Sequence, residues 1–126
     1  MDREKIINEL MVKHRWSRDQ IEISELDGHR CRYCDKDLLG NVDDFREWSI
    51  DHLVPISRGG DAKDRGNLVL ACWTCNIIKR QWDPRTVTAA GDREAFIEAT
   101  RKFLAAKREN LRQRLDEQRE LLLGLA

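Results

Sequence analysis

The chain has 126 residues, a length that favours one domain with a modest core. Its 23 Lys and Arg residues equal its 23 Asp and Glu residues, so the formal charge is zero with the three His neutral. This balance argues against a protein that coats nucleic acid by charge alone, because such affinity comes mainly from neutralised phosphates. No apolar run approaches the roughly 20 residues that span a bilayer, and the charged start lacks the apolar core of a secretory signal. We therefore expect a cytoplasmic protein without a membrane partner.

The first segment, residues 1–27, is predicted to form two short helices. In D-R-E-K-I-I-N-E-L-M-V the apolar side chains recur at helical spacing, which indicates an amphipathic N-terminal helix. From Ser17 to Leu26 two patterns compete, because S-R-D-Q has the spacing of a capping signal whereas I-E-I-S-E-L alternates like a strand. We expect a second short helix there.

The central segment, residues 28–90, contains all four Cys and many turn residues. W-S-I-D-H-L-V-P is predicted to be a strand that ends at Pro55, and N-L-V-L-A a second strand after a Gly-rich loop. C-W-T-C-N-I-I-K-R-Q-W is predicted to start a helix that ends before Pro84. Asp51 and His52 are therefore neighbours on the first strand, where successive side chains point to opposite faces.

The third segment, residues 91–126, is predicted to form one long helix. From Asp92 to about Leu123 it contains no Gly or Pro, and at 1.5 Å per residue this helix would be about 45 Å long. One apolar stripe consists of Ile97, Leu104, Leu111, Leu115 and Leu122. The helix either packs on its own domain or projects to meet a partner, for which a homodimer is the expected form.

The four Cys residues form two C-x-x-C pairs, Cys31 with Cys34 and Cys72 with Cys75. A C-x-x-C pair lets both thiolates face one ion, and two pairs complete the tetrahedral set that Zn²⁺ accepts. A thioredoxin-like redox pair and buried free thiols are the alternatives. Four thiolates leave no open coordination position, so we expect the zinc to be structural. The two pairs flank the D-H strand, so this zinc would clamp the ends of the segment that contains it.

The stretches C-R-Y-C, I-D-H-L-V-P-I-S-R-G-G-D and N-L-V-L-A-C-W-T-C-N-I-I-K together resemble the HNH endonuclease family in its zinc-clamped form, over roughly residues 28–82. The resemblance implies an α+β fold, with a ββα-metal core and a four-Cys zinc site flanked by an N-terminal helix and a long C-terminal helix. It also implies metal-dependent hydrolysis of phosphodiester bonds in DNA, which we expect to be double-stranded. The alternative is a zinc-stabilised nucleic-acid-binding module that is catalytically inactive.

The resemblance implies roles for four residues of the central segment. His52 matches the general base that takes a proton from the attacking water, and Asp51 matches a ligand of the catalytic divalent ion. Asn67 matches the Asn that ties down the loop between the strands and helps to orient the His. Asn76 stands where many members have a third His, as the other protein ligand. An amide oxygen suits Mg²⁺ or Mn²⁺, whereas an imidazole would favour softer ions.

Three basic residues near these positions are predicted to contact nucleic acid. Lys79 and Arg80 follow Asn76 by about one helical turn, which would direct them towards a phosphate near the ion. An ordinary solvated helix face is the alternative for both. Arg58 precedes two glycines that let the backbone approach a ligand closely while the Arg side chain reaches a phosphate.

Overall fold

The centre of the molecule is a two-stranded sheet with a helix packed against it. The computed structural model describes residues 2–89 and 91–125. Strands β1 (Trp48–His52) and β2 (Leu68–Cys72) pair antiparallel, in a register that places Asp51 opposite Val69. Helix α4 (Trp73–Lys79) follows β2 directly and contacts both strands. This ββα arrangement confirms the predicted α+β class.

Four further helices surround this core. They are α1 (Arg3–Lys13), α2 (Arg18–Leu26), α3 (Val42–Phe45) and α5 (Arg93–Leu123). The two competing patterns before Asp27 resolve as a helix, because Ser17 and Gln20 form a capping box. The Ser17 hydroxyl accepts from the Gln20 N–H at 3.1 Å, and the Gln20 side chain accepts from the Ser17 N–H at 2.9 Å. None of the helices that the structure describes is both long enough and apolar enough to cross a membrane.

A buried carboxylate connects α2, β2 and α5. Asp27, the residue after α2, accepts from the Leu70 N–H at 2.8 Å and from the Arg93 guanidinium at 2.7 Å. Arg32 also donates to it, at 3.1 Å. The Asp27 side chain has no exposed surface, so water cannot solvate it. These donors replace that lost solvation. The start of the long helix is therefore fixed to the sheet.

Helix α5 packs along only part of its apolar stripe. Ile97 and Leu104 lie in the core, at 2% and 0% exposure. Leu111, Leu115 and Leu122 are 45%, 51% and 66% exposed, and every described residue of the helix after Arg108 is exposed. The N-terminal part of α5 therefore belongs to the core, and its C-terminal part extends away from it.

The loop between the strands leaves no room for a side chain at Gly60. A Cβ atom there would lie 1.9 Å from the carbonyl oxygen of Val54 and 3.0 Å from the Asn67 amide nitrogen. The neighbouring Gly59 has φ 90°, a left-handed conformation that favours glycine. The Gly-Gly pair therefore permits both the turn and the close approach to Val54.

We expect Gly60→Ala to lower the free energy of unfolding by about 1–3 kcal/mol, because backbone atoms must move to admit the methyl group. Urea unfolding of the zinc-loaded protein measures this loss. Gly91→Ala is the matched control, since a Cβ there meets no atom within 4 Å. It should change stability by less than about 0.5 kcal/mol. Equal stabilities for the two variants would contradict the close approach.

Candidate active site

The four cysteines come together in the geometry of a zinc site. Their Sγ atoms all lie within 4.8 Å of one another, and those of Cys34 and Cys72 are 3.7 Å apart. A tetrahedral ion with sulfur ligands at about 2.3 Å needs sulfur–sulfur separations of about 3.8 Å. Backbone N–H groups point at two of the sulfurs, from Tyr33 to Cys31 at 3.4 Å and from Cys75 to Cys72 at 3.3 Å. The cluster therefore fits one structural zinc ion.

Helix α5 places a cation beside this cluster. Burial lowers the pKa of Arg108, but the sulfur atoms of Cys75, Cys34 and Cys72 more than offset this and raise it above its ordinary value. Zinc with four thiolates has a net charge of about −2, which a nearby guanidinium helps to balance. Arg108 is partly buried, and every described residue of α5 after it is exposed.

Asp51 points inward from β1 and is held by two donors. It is 6% exposed, and its Oδ2 atom accepts from the Tyr33 hydroxyl at 2.7 Å and pairs with the Lys79 ammonium at 3.1 Å. The ammonium also donates to the backbone carbonyl of His52 at 3.0 Å. Burial, followed by the negative charge of Asp51, raises the pKa of Tyr33 well above its usual value. The hydroxyl therefore stays protonated and remains a donor.

The position of Lys79 corrects one prediction for this region. Its side chain has no exposed surface and ends between β1 and α4, where it contacts Asp51 and the His52 carbonyl. A fully buried ammonium cannot meet the phosphate of a ligand in solvent. Lys79 follows Asn76 by about one turn of α4, but the face of α4 that contains Lys79 packs on the sheet. Lys79 is a counter-ion of Asp51 in this structure.

Four of the predicted site residues line a cleft of about 320 Å³ at the end of the sheet. The half-buried His52 follows Asp51, and both reach this cleft although they are neighbours on one strand. Asn76 reaches it from α4, and Arg80 from the residue that ends α4. The lining residues are Ile50, Asp51, His52, Pro55, Ile56, Ser57, Asn76, Arg80 and Gln81.

Three of these side chains present polar atoms that nothing else in the described residues binds. The amide nitrogen of Asn76 donates to the Ser49 hydroxyl and the Ile50 carbonyl, both at 3.3 Å. The Ile50 carbonyl can only accept, so this contact leaves Oδ1 of Asn76 as the free atom. Oδ1 of Asp51 and the imidazole of His52 likewise make no hydrogen bond within residues 2–89 and 91–125.

The residues that contain these atoms reach the surface of the cleft. Asp51, His52 and Asn76 all line it. His52 and Asn76 are half-buried, and Asp51 is 6% exposed. Mg²⁺ and Mn²⁺ prefer carboxylate and amide oxygens as ligands, and Mg²⁺ usually keeps several bound waters as well. The carboxylate, amide and imidazole that have unpartnered atoms thus belong to three residues that line one cleft.

Asn67 fixes the loop that forms one wall of the cleft. Its Oδ1 accepts from the Val54 N–H at 2.8 Å, and its Nδ2 donates to the carbonyls of Val54 at 3.0 Å and Asp61 at 3.1 Å. The Asn67 backbone carbonyl accepts from the Leu53 N–H at 2.9 Å. The buried amide therefore pairs with the residues directly after His52, and it does not line the cleft.

The two predicted arginines remain on the surface, but only one of them lines the cleft. Arg80 is exposed and lines it, with a backbone φ of 51° at the end of α4. Arg58 is also exposed, on the short 3₁₀ turn after Pro55, and its carbonyl accepts from the Arg85 guanidinium at 2.7 Å. Among the described residues, Arg80 is thus the cation that lines the cleft. Arg58 does not line it but follows Ser57, which does.

No pattern in the sequence indicated the role of Tyr33. This residue lies inside the C-R-Y-C pair, where an aromatic side chain predicts only a place in the core. Its hydroxyl reaches a carboxylate that is 18 positions away along the chain. A buried Tyr needs a partner for its O–H, which is the one signal that could have suggested a polar neighbour.

Comparison with known proteins supports the resemblance over this region. Residues 31–81 match the family model described as HNH endonuclease. This match covers both C-x-x-C pairs, both strands and α4. No curated protein and no solved structure matches the chain.

Proposed function

We propose that the HNH endonuclease domain at residues 31–81 is catalytically active and cleaves double-stranded DNA with a divalent ion, Mg²⁺ or Mn²⁺. In this proposal His52 activates the attacking water, and Asp51 and Asn76 bind the ion. One observation carries the proposal: the three residues line the same cleft, and each has a polar side-chain atom without a hydrogen-bond partner in the described part of the chain. A decayed site would be free to lose any of them.

The chemistry of these residues suits hydrolysis of a phosphodiester. The His52 imidazole has no hydrogen bond in the described part of the chain, so it can accept a proton from water without first losing a partner. A divalent ion, when bound, offsets charge on the scissile phosphate and the leaving oxygen. Asp51 and Asn76 would each supply one oxygen ligand to such an ion. Arg80 supplies a positive charge for the DNA backbone at the same place.

We expect His52→Ala to slow the nicking of supercoiled plasmid by about 10²–10⁴-fold in Mg²⁺ or Mn²⁺, because the general base is lost. The zinc content and the unfolding midpoint should stay near those of the wild type. His14→Ala is the matched control, since His14 is an exposed residue after α1 that does not line the cleft.

The reaction is best started by adding the divalent ion to zinc-loaded protein. A chelator would also remove the structural zinc, and the resulting loss of fold would imitate loss of the catalytic ion. If His52→Ala and the wild type nick at the same rate, the assignment of His52 is wrong. DNA binding without cleavage by the wild type would favour the inactive nucleic-acid-binding module.

The predicted homodimer through α5 belongs to the same proposal. One site cuts one strand, so a second copy packed on the exposed Leu111, Leu115 and Leu122 would bring two sites to one duplex. We expect nicked plasmid from the monomer and a larger fraction of linear plasmid at concentrations where a dimer forms. Sedimentation velocity over the same concentrations measures the association. A strict monomer that nevertheless linearises plasmid would contradict the dimer.

A further inference from the structure

The two carboxylate oxygens of Asp51 have different surroundings. Oδ2 receives both donors, the Tyr33 hydroxyl at 2.7 Å and the Lys79 ammonium at 3.1 Å. Oδ1 has no hydrogen-bond partner among residues 2–89 and 91–125, and Asp51 lines the cleft. The carboxylate is thus bound at its inner oxygen and free at its outer one.

Of the two groups that contact Oδ2, the Tyr33 hydroxyl constrains the orientation of the Asp51 carboxylate more strongly. Its ring is 4% exposed and packed in the core, so the single O–H lies at a defined place. The Lys79 ammonium has three rotatable donors on a flexible stem, and it divides them between Asp51 and the His52 carbonyl. Lys79 supplies the opposite charge, whereas Tyr33 constrains the orientation of the carboxylate.

Tyr33 is itself placed by the zinc site. It stands between the ligands Cys31 and Cys34, and its N–H donates to the Cys31 sulfur at 3.4 Å. The preceding residue, Arg32, donates its N–H to the Leu70 carbonyl at 3.0 Å, which joins the C-R-Y-C turn to β2. The zinc-binding turn and the catalytic carboxylate therefore meet through one side chain.

We propose that Tyr33 is a positioning residue for the catalytic divalent ion, whose hydroxyl holds Oδ2 of Asp51 so that Oδ1 is presented to the cleft. The inference rests on the proposed function, since it requires Asp51 to bind that ion. It also connects the two metal sites, because the C-R-Y-C turn that supplies zinc ligands also supplies the hydroxyl that orients Asp51. Outer-shell partners of metal ligands commonly contribute about 10–100-fold to affinity or activity.

The test measures Mn²⁺ binding to zinc-loaded Tyr33→Phe. The electron paramagnetic resonance signal of free Mn²⁺ reports how much of the ion is unbound. We expect the dissociation constant to rise by about ten-fold, with unchanged zinc content. Plasmid nicking should fall at low Mn²⁺ and return towards the wild-type rate when Mn²⁺ saturates, because the reacting groups are intact. Thr100→Val is the matched control, since it removes another buried hydroxyl, one that donates to the Phe96 carbonyl at 2.8 Å in α5.

Wild-type Mn²⁺ affinity in Tyr33→Phe overturns the inference, as does loss of zinc from this variant, which would place the hydroxyl in the zinc site alone. A deficit that persists at saturating Mn²⁺ also overturns it. Asp51→Asn separates this from the proposed function. If Asp51→Asn binds Mn²⁺ as the wild type does, the ion lies elsewhere and the proposed function fails first.

Discussion

Cys75→Ser is expected to abolish zinc binding and the cooperative unfolding transition of this protein. Structural zinc sites in small peptides contribute about 10–16 kcal/mol, whereas whole domains are stable by about 5–15 kcal/mol. Cys75 is fully buried in the core cluster, at the first turn of α4, so its loss disconnects that helix from the C-R-Y-C turn. Near-ultraviolet circular dichroism and metal analysis of the purified protein measure both effects.

Thr74→Ser is the matched control for that experiment, because it lies in the same C-W-T-C turn and keeps the hydroxyl that donates to Glu47 at 2.8 Å. It should retain one zinc per chain and a cooperative transition. A Cys75→Ser protein that unfolds cooperatively without zinc would contradict the structural site. A wild type whose four thiols become reactive only on unfolding, with no zinc released, would do the same and would favour the alternative of buried free thiols.

Lys79→Met is expected to lower the free energy of unfolding by about 3–5 kcal/mol in zinc-loaded protein without Mg²⁺ or Mn²⁺. The substitution keeps the length of the side chain but leaves Asp51, which is 6% exposed, as a buried carboxylate without its cation. The His52 carbonyl also loses its donor. Urea unfolding of the variant and the wild type measures the difference.

A double-mutant cycle attributes this loss to the pair. Asp51→Asn combined with Lys79→Met removes both charges, so the double variant should be more stable than the sum of the two single losses predicts. Lys102→Met, on an exposed position of α5, should change stability by less than about 0.5 kcal/mol. If Lys79→Met weakens DNA binding but leaves stability unchanged, Lys79 is a phosphate contact and its buried pairing with Asp51 is wrong.

The main elements of the fold could be predicted because each depends on local chemistry. The strand at W-S-I-D-H and the strand at N-L-V-L-A follow from residue type and from the turn residues that bound them. The helix after Ser17 follows from a capping box within four residues. The zinc ligands follow from spacing alone, since a C-x-x-C pair is a complete unit of the site.

The apolar stripe of α5 shows the limit of such patterns. The same spacing continues from Ile97 to Leu122, yet Ile97 is 2% exposed and Leu122 is 66% exposed. A periodic pattern identifies the apolar face of a helix, but burial depends on whether another element lies opposite that face. The number of neighbours along α5 is a property of the folded domain.

The sequence alone indicated the four Cys ligands, the two strands, four of the five α-helices and the D-H pair, because each of these patterns is local in the chain. The short helix α3 was not predicted. The inward position of Lys79 beside Asp51 and the hydrogen bond from Tyr33 to the same carboxylate depend on tertiary packing. Those contacts join residues from β1, α4 and the zinc-binding turn, and no local spacing specifies which faces pack together. Secondary-structure preference and metal-ligand spacing depend on residues that are close in the sequence. The partner of a buried charge depends instead on packing across the whole core.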